Sequence, residues 1–446
     1  MEINLYFPRS GNNHFAAGKL SFAVGDYHSC EARLSFRAAD NHSARGQGVK
    51  MKKKKNSQKI GKPLAILYHP AYFLVTLFFR IRYRIHINKK AFRKEKGGAI
   101  VLATHTSNYD FILAAMALYP RRATFVMSEH FFTNKLLRPV LRLMHTIPKK
   151  MFCPDTRSVL SMIRAIREGS VLVLFPEGRL TCNGISCPIT PGTAELVRNL
   201  GVPVYTMIAE GAGKTFPKWA KKPRIGRIDV NVSKLFDGSE LKGMTLPEID
   251  EAIASAIAHN AWESLPDVKF KVRDAAKGLD GILWRCPECG AEHSLICENN
   301  AIICNNCSLK ATIDAHGQIS GVSGIKTVAD WYDQNASTLD LTAPLTCECI
   351  VGKTDGDPKK DGVMCREVGK GTMSLSRDGF TFDGEINGEE THISLLGKDC
   401  PGALPISVGD HFDVYFGGYL HFFTPVPDAR DSVKFVAYKD SLAERE

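Results

Sequence analysis

The sequence predicts an α/β fold, a mainly parallel sheet flanked by helices, followed by a cysteine-knuckle ribbon and a small β-rich domain. Three observations lead there. Between residues 99 and 232, short apolar runs alternate with stretches of helical periodicity, the pattern of strands joined by crossover helices. Two Cys-x2-Cys pairs then follow, at 286–289 and 304–307, with 14 residues between them. Beyond residue 344, alternating segments are separated by Asn-Gly and Gly-Gly dipeptides that favour hairpins. At 446 residues and 44% apolar side chains, the chain is long enough for about two to four globular domains. We place them at 97–270, 278–314 and 344–446, after a leading stretch at 1–50 and a basic segment at 51–96.

Residues 1–50 scatter Gly, Asn, Ser and His without periodicity. They read as an unstructured extension, or as lying upstream of a true start at Met51-Lys-Lys-Lys-Lys55. No apolar run in them is long enough for a secretory signal peptide. The next segment concentrates charge: residues 51–96 hold 14 Lys or Arg against Glu95 alone, so the rest of a chain of net charge +11 is close to neutral. Inside it, residues 64–79 are mostly apolar and aromatic, interrupted by His69 and Pro70 and closed by Arg80, Arg82 and Arg84. A spanning helix needs about 20 apolar residues, and this one is short and broken. The segment is therefore expected to be a monotopic anchor on an anionic leaflet, at the cytoplasmic face of the cell membrane, where each cation contributes about 1 kcal/mol. A buried core helix with a basic face and a true single span are the competing readings.

In the α/β part, strands are expected at 99–104, 123–127, 170–175, 202–208 and 228–232. Helices are expected at 110–118, at 134–144, at 156–167 behind Pro154-Asp155, and from Pro191, whose missing N–H suits a first turn. A parallel sheet carries its site at the carboxyl ends of its strands. Two motifs fall there: His105-Thr-Ser-Asn-Tyr-Asp110 after the first strand and Phe175-Pro-Glu-Gly-Arg179 after the third.

The His–Asp spacing alone decides nothing, since about 0.7 such pairs are expected by chance among 14 His; its position at a strand end gives it weight. An alcohol is a poor nucleophile at neutral pH, and a His that takes its proton contributes about 10²–10⁴ in rate. Asp110 is placed to hold the His105 tautomer and to stabilise the imidazolium. No Gly-x-Ser-x-Gly frames a serine, so the attacking hydroxyl is assigned to a substrate. Arg179, whose planar fork grips phosphate bidentately, follows Gly178, which permits close backbone approach. Glu177 has two readings, binding a free acceptor hydroxyl or orienting Arg179. Backbone amides near Gly178 are the candidate oxyanion donors. Cys182 and Cys187 lie just beyond Arg179 without an evident His partner, and read as loop thiols in preference to an acyl-cysteine nucleophile.

These motifs resemble those of the glycerolipid acyltransferases of the 1-acylglycerol-3-phosphate (lysophosphatidate) type. His105 and Asp110 match the family's His-x4-Asp block, and Phe175 to Arg179 its Phe-Pro-Glu-Gly block. Thr146-Ile-Pro-Lys-Lys150 corresponds loosely to a second block ending in a basic residue, and Val202-Pro-Val-Tyr-Thr-Met207 to a fourth, an apolar run with Pro. The resemblance covers about residues 60–270. It implies that the His acts as base on an acceptor hydroxyl, which attacks an acyl thioester of coenzyme A or acyl carrier protein, with no metal in catalysis. It carries substrate-binding roles onto Lys149 and Lys150 beside Glu177, Gly178 and Arg179. The implied function is a membrane-associated O-acyltransferase of phospholipid biosynthesis that converts lysophosphatidate to phosphatidic acid. The alternatives are another lysolipid or glycerol phosphate as acceptor, and a catalytically silent zinc-ribbon adaptor.

The ribbon is the third strong signal. Cys286, Cys289, Cys304 and Cys307 have the spacing of a closed four-thiolate zinc site, hence a structural one. Cys297 and His293 lie between the knuckles and are expected not to ligate. Residues 284–312 carry Arg285 and Lys310 against Glu288, Glu292 and Glu298, a net −1 that argues against nucleic acid as a partner. Residues 314–342 read as a linker with a short helical stretch near 328–332. The β-rich part at 344–440 has hairpin turns at Arg377-Asp-Gly379, Asn387-Gly388 and Gly417-Gly418, and a closing helix at 427–438, an arrangement that resembles a pleckstrin-homology-like or GRAM-like barrel. Lipid binding, protein binding and a purely structural role remain open for it. Cys347, Cys349, Cys365 and Cys400 are spaced too loosely for a second metal site and are expected to be unpaired thiols.

Overall fold

In the computed structural model the described residues are 65–133, 137–152, 155–353 and 366–444, all within one compact unit. The expectations for residues 1–50 and 51–64, and for Pro154 and Cys365, lie outside them. The first sheet contains β1 (Arg84–Asn88), β2 (Ala99–Ala103), β3 (Ala123–Ser128), β4 (Ile147–Lys149), β5 (Val171–Leu174), β6 (Val204–Glu210) and β7 (Arg227–Phe236), in the order β1-β7-β6-β2-β5-β3-β4. Neighbours are parallel except the antiparallel β6 and β7.

The helices are α1 (Ala65–Arg82), α2 (Asp110–Leu118), α3 (Leu137–Leu143), α4 (Thr156–Arg167), α5 (Thr193–Leu200), the short α6 (Ala212–Thr215) and α7 (Leu246–Ile257). Strand alternation distributes them. The central β2 is buried along its whole length. Ala99, Val101 and Ala103 share a core with Leu113, Ala114 and Ala117 of α2. Ile100 and Leu102, on the opposite face, share another with Met162 of α4, Val197 of α5 and Ile253 of α7. Caps fix where helices begin: Asp155 accepts from the Ser158 N–H at α4, and Thr245 with Glu248 forms a capping box at α7.

Several boundaries differ from the sequence reading. Residues 84–88, taken as the end of the basic anchor, form the edge strand β1, because Ile85 and Ile87 alternate inward against the α2 core while the polar Arg84, His86 and Asn88 face out. The helix expected from Pro191 starts at Thr193, since Gly192 caps it in the left-handed conformation, φ 83°. The helix expected over 134–144 is described only from Leu137 to Leu143.

The ribbon is an antiparallel sheet in the order β11-β10-β9-β8, made of β8 (Leu295–Glu298), β9 (Ala301–Cys304), β10 (Lys310–Ile313) and β11 (Ile319–Ser320). After it, α8 (Val328–Ser337) opens on a Thr327–Asp330 capping box. The C-terminal sheet contains β12 (Leu345–Lys353), β13 (Arg366–Leu375), β14 (Gly379–Ile386), β15 (Glu389–Leu396), β16 (Ile406–Ser407), β17 (His411–Phe416) and β18 (Tyr419–Val426), ordered β15-β14-β13-β12-β18-β17-β16 and antiparallel throughout. Its two-residue loops have positive φ at both central positions, 56° and 83° at Asn387-Gly388 and 56° and 83° at Gly417-Gly418, as tight hairpins require. The closing helix α9 (Ser432–Ala443) starts later than 427, because β18 runs on through Val426.

Residues 314–342 do more than link. One core joins Trp219 and Trp262 of the α/β domain, Trp284 and Ile302 of the ribbon, Trp331 of α8, and Phe412 and Phe435 of the C-terminal domain. The three expected domains therefore share buried apolar surface, which favours their unfolding as a unit.

Candidate active site

Register builds the site. Leu102 of β2 pairs with Leu174 of β5, so three residues further along each chain His105 and Glu177 leave the sheet side by side. The His105 backbone N–H donates to Glu177 Oε1 at 2.8 Å. The His105 ring stacks on Phe175 with centroids 4.3 Å apart, and its Nδ1 lies 3.1 Å from Asp110 Oδ2. A carboxylate only accepts, so Nδ1–H is the donor and Nε2 carries the lone pair. The same Oδ2 accepts from the Ser107 N–H at 2.8 Å, which fixes the carboxylate at the start of α2. The His105 side chain is 26% exposed and that of Asp110 1%. The dyad thus has one open side. Burial raises the Asp110 pKa, and the hydrogen bond from His105 works against that rise.

Glu177 is fully buried, and both its oxygens are engaged: Oε2 accepts from the Cys187 N–H at 2.8 Å. Burial raises its pKa, opposed by these backbone donors. Glu177 thereby ties the His105 loop to the loop at 185–190. Gly178 sits at φ 68°, where a Cβ would come within 2.8 Å of Thr190 and 2.9 Å of Phe152. Its N–H donates to the Phe175 carbonyl at 2.9 Å, so this amide is already spent and is not a free oxyanion donor.

Arg179 is 4% exposed, and its guanidinium is paired with Asp440 of α9, 261 residues away in sequence. Burial penalises the cation, and the Asp440 carboxylate more than offsets this, so its pKa lies well above the usual guanidinium range. No sequence motif announced Asp440. Lys149 and Lys150 sit at the carboxyl end of β4, two strands beyond β5. Lys149 Nζ donates to the Lys150 carbonyl at 3.2 Å, and Lys150 Nζ to the Gly418 carbonyl at 3.3 Å, in the β17–β18 turn. In this arrangement Lys150 contacts the C-terminal domain, while Lys149 contacts only its neighbour in sequence.

Residues 84–210 match the family model described as Acyltransferase, a span that contains both motifs. Over that span, less than a third of the chain, it is similar to the acyltransferase family. The chain is similar to the 1-acyl-sn-glycerol-3-phosphate acyltransferase of Bacillus subtilis (strain 168), 23% identical over 138 residues, which are 30% of this chain and 68% of that protein. Among solved structures it is similar to the 1-acyl-sn-glycerophosphate (LPA) acyltransferase PlsC of Thermotoga maritima, with 15% identity, a TM-score of 0.38, and coverage of 47% of this chain and 81% of that one.

Two thiols adjoin the acyltransferase motifs. Burial raises the pKa of Cys182 and pushes that of Cys187 up to about 12. At pH 8 a thiol of that pKa is ionised to about one part in 10⁴. Iodoacetamide at pH 8 is expected to leave both unmodified in the native protein and to label both after denaturation, read by peptide mass spectrometry; rapid native labelling of Cys187 would restore the acyl-cysteine reading.

In the ribbon, the four knuckle thiols converge. Cys286 and Cys307 Sγ are 3.7 Å apart, Cys289 and Cys304 Sγ 3.8 Å, and all four lie within 4.8 Å of one another. A tetrahedral ion with bonds of about 2.3 Å to sulfur needs sulfur–sulfur edges of about 3.8 Å. The cluster can therefore hold one metal ion. The Asn306 N–H reaches Cys304 Sγ and its side-chain amide reaches Cys289 Sγ, each at 3.4 Å. Cys297 is buried in the common core and is not in the cluster. His293 Nε2 is 2.6 Å from Asp431 Oδ1 of the C-terminal domain. A second group, Glu292, His293 and Asp431, is already bridged by the Lys434 ammonium, 2.5 Å from Glu292 and 2.8 Å from Asp431.

Proposed function

We propose that this protein transfers a fatty acyl group from a thioester, acyl-CoA or acyl carrier protein, to the hydroxyl of 1-acylglycerol-3-phosphate, giving phosphatidic acid. The reading is carried by the His105–Asp110 dyad, open on its Nε2 side, inside the span that matches the acyltransferase family. Nε2 takes the acceptor's proton as the hydroxyl oxygen bonds to the thioester carbon. The tetrahedral oxyanion then collapses, the carbon–sulfur bond breaks, and the leaving thiolate recovers the proton from the imidazolium. Asp110 stabilises that imidazolium without itself being protonated. Arg179 binds the acceptor phosphate once it is released from Asp440. The names of the similar proteins favour lysophosphatidate over other acceptors. The test is thioester consumption by purified protein with each donor, with and without lysophosphatidate. Acceptor-dependent turnover supports the reading, and none with any lysolipid would promote the adaptor alternative.

Membrane docking through α1 is part of this proposal. One face of the helix packs inward through Tyr68, Thr76 and Phe79, while Ile66, Phe73, Leu74, Phe78 and Ile81 are exposed, Ile81 to 78%. Arg80, Arg84, Lys90 and Arg93 lie exposed beside it. No described helix is long and apolar enough to cross a membrane, which fits a helix lying in the interface. Burying a Phe contributes about 1.5–3 kcal/mol. The double change Phe73→Glu, Phe78→Glu is thus expected to lower partitioning onto phosphatidylglycerol-containing vesicles at least tenfold in sedimentation, with turnover on a short-chain soluble acceptor kept. Unchanged partitioning would remove α1 from the docking surface. We further propose that the ion held by the four knuckle thiols is a structural zinc.

A further inference from the structure

Between the loop that follows Arg179 and the end of α9 lies a cavity of about 180 Å³, lined by Arg179, Cys187 and Thr190 on one side and by Arg377, Lys439 and Asp440 on the other. Pockets that take whole drug-sized ligands run to about 300–1,000 Å³, so this one admits a headgroup and not an acyl chain. Its charge is lopsided, three cations against one carboxylate. Arg179 reaches Asp440 through one terminal nitrogen, and its Nε is buried without a hydrogen-bond partner. Lys439 Nζ rests 3.5 Å from Cys400 Sγ, a weak acceptor. Arg377 is exposed at the rim. Asp440 lies in the last turn of α9, at the negative end of the helix dipole. A carboxylate gains nothing locally there, so Arg179 accounts for its position.

The cavity also adjoins the base. The Glu177 carboxylate accepts from the His105 N–H on one side and from the Cys187 N–H on the other, each at 2.8 Å, and Cys187 lines the cavity. One side chain separates the catalytic loop from the three cations.

We infer that this cavity is a phosphate-monoester site shared by the two domains, in which Arg179, Arg377 and Lys439 bind the phosphate and Asp440 holds the Arg179 guanidinium until the phosphate replaces it. A phosphate monoester brings up to two charges and three acceptor oxygens where the carboxylate brings one charge and two, so three cations favour the exchange. The inference rests on the acyl-transfer reading above and extends it, making the C-terminal domain part of acceptor recognition. Two phosphates have this chemistry, that of the acceptor and the 3′-phosphate of coenzyme A.

The experiment uses the full chain, with calorimetric titration of glycerol 3-phosphate and inorganic phosphate beside steady-state kinetics. Arg377→Gln and Lys439→Gln are each expected to weaken glycerol 3-phosphate binding and to raise the lysophosphatidate KM about tenfold, with kcat kept. Asp440→Asn is expected to lower that KM severalfold; should it fold poorly, the two cation variants carry the test alone. If both cation variants keep the wild-type KM and binding constant, the inference falls while the acyl-transfer reading stands. If they raise the acyl-CoA KM but not that of the dephospho-CoA thioester, and leave the acceptor KM alone, the assignment to the acceptor is overturned. If no acceptor supports turnover but glycerol 3-phosphate still binds and Arg377→Gln weakens it, the site stands and the acyl-transfer reading falls.

Discussion

His105→Ala is expected to lower kcat by about 10²–10⁴-fold, the contribution of a positioned general base, with little loss of stability. The link from His105 to Glu177 uses the backbone N–H, which alanine keeps, and the imidazole is a partly exposed ring lying on Phe175. Asp110→Asn is the sharper variant. An Asn in that place can donate to Nδ1, which puts the ring proton on Nε2 and leaves no lone pair for the acceptor; the corresponding change in serine hydrolases costs about 10⁴ in kcat. It also removes a carboxylate that burial disfavours in its charged form, so the native fold is expected to survive. The sign for pH follows. Burial raises the Asp110 pKa, so in the wild type the ionised partner of His105 is lost, as pH falls, earlier than for an exposed Asp. The acid limb of kcat/KM is therefore expected to reflect this loss, and thiol release from the acyl donor, followed by a chromogenic disulfide, measures all three effects. Full turnover by His105→Ala would remove the dyad from the mechanism.

The strands and motifs around this dyad were legible because they are local. Ala99–Ala103 and Val171–Leu174 are apolar runs that can only be buried, and each is followed within a few residues by the groups that matter. Asn387-Gly388 and Gly417-Gly418 were legible for the same reason, since a two-residue hairpin demands positive φ and these dipeptides supply it. Glu177 shows the limit of such reading. Sequence places a carboxylate beside Gly178 and Arg179, but only the parallel pairing of β2 with β5 shows that its oxygens face two backbone amides.

Long-range pairing was not legible at all. Asp440 is one acid in a C-terminal helix, placed against the local dipole preference, and its partner becomes visible only when α9 packs on the acyltransferase domain. The supposed linker misled in the opposite way. Residues 314–342 are mostly polar, yet Val328, Trp331 and Tyr332 on α8 point into the common core, so two well-placed aromatics outweighed the average composition.

That common core makes metal removal the second large effect. Zinc binding to small knuckle domains is worth about 10–16 kcal/mol at neutral pH, and such domains are unfolded without it. Here the ribbon is not free to unfold alone, because Trp284, Leu295 and Ile302 are buried in the core that also holds Trp331, Phe412 and Phe435. Strong chelation, or Cys304→Ser, is therefore expected to lower the thermal midpoint by about 10 °C, a change of about 10 kcal/mol in a chain this large, with the shared core still lost in a single calorimetric transition. Elemental analysis should find about one zinc per chain in the wild type and none in Cys304→Ser. Cys297→Ser separates packing from ligation: its buried thiol lies outside the cluster, so the metal is kept and the midpoint falls only modestly. Four thiolates leave no open coordination position, so a chelator acts on turnover only as fast as it unfolds the chain. A metal-free protein with the wild-type midpoint would show that the ribbon is held by its apolar face alone; loss of turnover ahead of any unfolding would mean that the knuckles reach the catalytic loops through α8 and α9, on the same packing that brings Asp440 to Arg179.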